Sequence, residues 1–141
     1  MATVAAATSA VMLPATQASA FEAVEAFSVC YKVTDCNMGY TSGSIEWETG
    51  TLPNMSGASE SNVRGKVVNR IGTDYSTTAY FEFYDGDSVK RYSTTRTSWD
   101  GELSFNFMVN TEYHWRMKIT VCQNWADGTR SCGSPENYSY Q

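Results

Sequence analysis

The sequence predicts an all-β fold, an antiparallel two-sheet sandwich of about seven to eight short strands with two local disulfides. Three observations predict it. Apolar residues recur at every second position, most clearly where Tyr113, Trp115, Met117, Ile119 and Val121 alternate with His114, Arg116, Lys118 and Thr120. That period of two belongs to a strand with one buried and one wet face. Turn residues, among them Gly72-Thr73-Asp74, Asp85-Gly86 and Ala126-Asp127-Gly128, punctuate the chain at short intervals. No window carries a sustained helical stripe, and the nine tyrosines and six phenylalanines suit a pleated surface better than a helix.

In chain order, residues 2–20 carry no charge, with an apolar run to Leu13, a breaker at Pro14 and Ala18-Ser19-Ala20 before the first acid, Glu22. This resembles the apolar region and cleavage site of a secretory signal, although no positive residue precedes it. We therefore expect residues 1–20 to be a signal remnant and residues 21–141 to form one secreted, extracellular domain. The apolar run is too short and too interrupted for a membrane span, so none is expected in the mature chain.

Residues 22–27 read as loose, and residues 27–34 as a first strand carrying Cys30, followed by Cys36 and turn chemistry at Asn37-Met38-Gly39. Residues 44–49 place Ile45 and Trp47 inward, opposite Glu46 and Glu48. Residues 51–62 form a polar connection, and the next strand turns Val63, Val67 and Ile71 inward. Phe81 and Phe83 face the core from residues 78–84, with Tyr80, Glu82 and Tyr84 outward. Leu103, Phe105 and Phe107 face it from a later strand.

Four cysteines allow three connectivities, and the last hairpin predicts one bond among them. With Gly128 in the left-handed position of a three-residue loop, counting outward pairs Trp125 with Thr129, Asn124 with Arg130, Gln123 with Ser131 and Cys122 with Cys132. Directly opposed residues lie about 4.5–5.5 Å apart at Cα, within the span of a disulfide. Cys122–Cys132 then leaves Cys30–Cys36 as the second bond, both in keeping with export. Zinc is disfavoured, because the spacings are unlike a finger and the chain has a single histidine.

The segment FMVNTEYHWRM resembles the approach to strand F of a fibronectin type III domain, Leu-x-Pro-x-Thr-x-Tyr. Phe107 takes the Leu position, Val109 the Pro position, and Thr111 and Tyr113 match. VRGKVV and AYFEFYDG look like strands B and C of that fold. The resemblance spans residues 62–123 and implies an immunoglobulin-like sandwich, with Tyr113 as a tyrosine corner. It implies no activity.

The formal net charge of −5 and the scattered basic residues argue against a nucleic-acid partner. Catalysis would have to be built around His114, on the wet face, without a Gly-x-Ser-x-Gly elbow. Glu46 and Glu48 share a face as alternation alone dictates, and Asp85-Gly86-Asp87 offers calcium too few oxygens. No catalytic residue, metal or cofactor is assigned. The candidate binding face comprises Tyr80, Glu82, Tyr84, His114, Arg116 and Lys118, with Trp125 and Trp99 in adjoining turns; Glu82 is expected to pair with Arg116 or Lys118. The expected role is a non-catalytic binding or structural protein, with an extracellular protein partner favoured over a polysaccharide and over inhibition of a secreted hydrolase. Asn54-Met55-Ser56 and Asn137-Tyr138-Ser139 fit the N-glycosylation pattern.

Overall fold

The structure, a computed structural model, describes residues 21–32, 35–49, 57–111 and 113–140. The signal expected at residues 1–20 and the glycosylation pattern at Asn54 lie outside them. Nine strands are present among the described residues: β1 Phe21–Lys32, β2 Asp35–Thr49, β3 Ala58–Asn69, β4 Ser76–Asp85, β5 Lys90–Ser98, β6 Gly101–Val109, β7 His114–Asn124, β8 Arg130–Cys132 and β9 Glu136–Ser139. Every pairing among them is antiparallel.

One run of neighbours is β1-β2-β3-β6 and another is β5-β4-β7, with β8 and β9 both on the far edge of β7. A single residue pair, Ala58 with His114, joins β3 to β7. The strands at the start are longer than their local sequence suggests. Residues 22–27 belong to β1, and Asn37-Met38-Gly39 lies within the 15-residue β2. Glutamate and alanine have little strand preference of their own; here the long register with β2, from Phe21–Glu48 to Lys32–Asp35, overrides it. β9 also had no signal in its sequence.

The alternating positions fill the interior as expected. Ile45, Trp47, Val63, Val67, Phe81, Phe83, Phe105, Phe107, Met117, Ile119 and Val121 are all buried. Phe81 is their centre: its ring lies 5.3 Å from those of Phe105 and Phe107 and 6.1 Å from that of Phe27, each edge to face. Rings from β1, β4 and β6 therefore meet in one core. Gly43 and Gly65 oppose each other across β2 and β3, where a Cβ on either would run into the backbone of the other strand. Leu103 departs from expectation, being exposed near the start of β6.

The parity of β7 breaks at its start. Tyr84 pairs with Arg116 and Asp85 with His114, so Trp115 is an extra, bulged residue. A one-residue bulge sends the preceding side chain to the other face. His114, expected outward, is consequently buried, while Trp115, expected inward, is half-buried.

Candidate functional site

Both disulfides join the expected cysteines. Cys122 and Cys132 oppose each other in the β7–β8 register with Cα atoms 4.0 Å apart, and Cys30 and Cys36 bridge the β1–β2 hairpin at 4.8 Å. Gly128 stands at a φ of 92°, and the Trp125 and Gly128 amides donate to the Thr129 and Trp125 carbonyls, closing the loop.

His114 is removed from the candidate face. Its Nδ1–H donates to the Thr111 carbonyl at 2.8 Å, which makes Nε2 the acceptor for the Ser61 hydroxyl at 2.7 Å. Trp47 and Phe83 pack around the ring. Burial pushes its pKa below the usual histidine value, against the raising effect of the Thr111 bond. The pair has the atoms of a nucleophile and a base, yet both residues are wholly buried. Its visible effect is to tie β3 to β7 beside the lone backbone pair that links them.

The remaining expected residues do come together. Glu82 lies opposite Lys118, and Tyr84 opposite Arg116, on neighbouring β4 and β7. Glu82 bonds to Lys118 at 3.1 Å, to Lys90 at 3.3 Å and to the Tyr84 hydroxyl at 3.1 Å. Partial burial works against its charge, but these bonds outweigh it and hold the carboxyl below its ordinary pKa. Arg116 sits 4.3 Å from the Tyr84 ring centroid and also donates to Asn137 Oδ1, while Arg130 sits 5.4 Å from Tyr80. The tyrosine rings are thus capped by cations and half-buried. Most of the polar capacity of this ladder is used internally.

At one end of the same outward face the surface hollows into an open groove of about 600 Å³. Its floor is a chain of bonds across four strands. Arg130 Nε donates to Asn124 Oδ1 at 2.8 Å, Asn124 Nδ2 donates to Ser76 Oγ and Thr78 Oγ1 at 3.0 and 2.9 Å, and Thr78 meets Thr97 Oγ1 at 2.8 Å. Two indoles border it. Trp125 is held edge to face by Tyr31 and Tyr75, whereas Trp99 is 63% exposed.

No protein-family model, curated protein or solved structure matches this chain.

The other acidic candidates are tied up locally. Glu46 pairs with Arg64, and Glu48 faces Glu60 across β2 and β3, where burial and then the shared hydrogen bond raise its pKa. Asp85 Oδ1 accepts the Asp87 and Val89 amides and Oδ2 accepts Arg91 at 2.7 Å, which leaves the carboxylate little capacity for calcium. Among the described residues no three His, Cys, Asp or Glu side chains are grouped as metal ligands. Sequence reasoning found both tryptophans but not the floor between them, because Ser76, Thr78, Thr97 and Asn124 come from three separate strands that no local pattern brings together.

Proposed function

We propose that this chain is a small secreted, non-catalytic carbohydrate-binding protein, built as a fibronectin type III-like two-layer sandwich. The observation that carries the reading is the groove, with an exposed Trp99 and a braced Trp125 bordering a pre-bonded floor of hydroxyls and an amide. A sugar ring offers an apolar C–H face to an indole and a rim of hydroxyls that both donate and accept. Ser76 and Thr78 are buried beneath it, while the half-buried Thr97 hydroxyl, which shares one bond with Thr78, keeps acceptor capacity for it. The volume is within the range of about 300–1,000 Å³ for small-ligand clefts, and a fixed floor limits the ordering cost of binding.

Protein recognition, the role the sequence favoured, has less support. The large exposed apolar side chains are spread over β1, β6 and two turns, whereas protein hot spots cluster around desolvated aromatic anchors. The sandwich reading is supported by the ring contacts between the two strand runs and by the lone pair that joins them. With strands B, C and F of the resemblance taken as β3, β4 and β7, the pairings β3–β6 and β4–β7 accord with the B–E and C–F pairings of such folds. Two disulfides are compatible with an extracellular location. Among the described residues no helix is long and apolar enough to cross a membrane.

The test is affinity electrophoresis of the folded protein through gels containing soluble glucan, xylan, mannan and polygalacturonan. Retardation by at least one polymer, abolished in Trp99→Ala and Trp125→Ala, is expected. Mobility unchanged by every polymer, or retardation indifferent to both tryptophans, refutes the reading.

A further inference from the structure

We infer that Arg130 makes the groove selective for acidic saccharides, with its guanidinium receiving the carboxylate of a uronic acid residue; this rests on the carbohydrate-binding reading. Among the described residues, Arg130 is the one ionisable side chain lining the groove. Its backbone is set by β8, which pairs with β7 through Asn124–Arg130 and is clamped two residues later by the Cys122–Cys132 bond. The side chain is positioned by neutral groups on two sides. Nε is engaged by the Asn124 amide oxygen at 2.8 Å, and the Tyr80 ring lies 5.4 Å from the guanidinium carbon.

The charge has no carboxylate partner among the described residues. Arg64, Lys66, Lys90, Arg91 and Lys118 each meet a carboxylate within ion-pair distance, and Arg130 meets none there. The nearest acid in sequence, Asp127, accepts both the amide and the hydroxyl of Thr129. A planar cation fixed through Nε, with no carboxylate beside it, is suited to forked bonding to a carboxylate. Its location at the edge of an otherwise uncharged, hydroxyl-bearing groove directs that preference to a sugar acid. Along the same face Arg116 is held in the same manner, by Asn137 and Tyr84.

The experiment compares polygalacturonan with the same polymer fully methyl-esterified, which differs chiefly in charge. Affinity for each is measured by tryptophan fluorescence at about physiological salt for the parent protein, Arg130→Gln and Trp99→Ala. The parent protein is expected to bind the free acid on the order of tenfold more tightly, Arg130→Gln to lose that preference while keeping its near-ultraviolet circular dichroism, and Trp99→Ala to lose binding to both. Equal affinity for the two polymers, or a preference that survives in Arg130→Gln, overturns the inference and leaves the carbohydrate reading standing. A preference for the acid that persists in Trp99→Ala identifies surface ion exchange and also overturns it. Absence of binding to any neutral or acidic glycan removes both proposals together.

Discussion

Replacing Phe81 by alanine is expected to remove the contact that joins β1, β4 and β6. The ring is fully buried and meets Phe27, Phe105 and Phe107 edge to face. Truncating a buried phenylalanine costs about 3–5 kcal/mol, as lost transfer energy plus the cavity left behind. Three edge-to-face partners, each worth about 0.5–1.5 kcal/mol beyond area, place Phe81→Ala in the upper half of that range, near 4 kcal/mol. With a urea slope of about 2 kcal/mol/M, the unfolding midpoint should fall by roughly 2 M. Equilibrium unfolding followed by tryptophan fluorescence measures it. Val24→Ala, at an exposed position of β1, serves as the control and should stay within about 0.5 kcal/mol. A loss below about 1.5 kcal/mol for Phe81→Ala, well short of the range for a buried ring, would mean that the three strands do not share a core.

Mapping the unreduced protein should recover Cys122 linked to Cys132, and Cys122→Ser with Cys132→Ser should cost about 2–4 kcal/mol, toward the low end because the loop is short; recovery of Cys122 linked to Cys30 would contradict the register. His114 makes stability pH-dependent with a definite sign. Its folded pKa lies below the ordinary value of 6.5, so the unfolded chain binds more protons under pH 6.5 and stability falls as pH drops through that value toward the folded pKa. His114→Gln should flatten this part of a stability–pH profile, and an unchanged slope would contradict the burial. Asp85 acts at lower pH: the Val89 amide foremost, against a smaller desolvation effect and together with Arg91 and the Asp87 amide, lowers its pKa from 3.8. Its contribution is present above 3.8 and lost as pH falls through the folded value, so the acid-unfolding curve of Asp85→Asn should lack that component. Trp99→Ala should leave the thermal midpoint within a few degrees of the parent while altering ligand binding; a collapse of stability would make Trp99 a core residue.

The parts of the fold that could be read from sequence are those whose geometry is set by neighbours in the chain. The β7–β8 hairpin is the clearest case, because a glycine that tolerates positive φ fixes the count and the count fixes which cysteines meet. The inward rings of β4 and β6 follow from strict alternation. His114 could not be placed in this way. Strand parity holds only until a residue is inserted, and nothing in Tyr113-His114-Trp115 marks the bulge that appears where β7 leaves β4. The first half of β1 escaped notice because Glu-Ala-Val-Glu-Ala has weak strand preference, and its structure is imposed by pairing to β2. For the groove, Trp99 and Trp125 were visible, but a floor assembled from β4, β5, β7 and β8 depends on contacts between distant parts of the chain, which no local pattern encodes.

The two sulfur bridges span only 6 and 10 residues, whereas the sheet must unite partners as far apart as Ala58 and His114. Closing such small rings carries little entropic penalty, and pairing distant strands is slow. Ring-closure entropy therefore favours these two pairings over the long-range alternatives even where the β-sheet is incomplete. The bond that anchors β8, and Arg130 with it, is thus set by residues close together in the chain and does not depend on the strands that complete the groove.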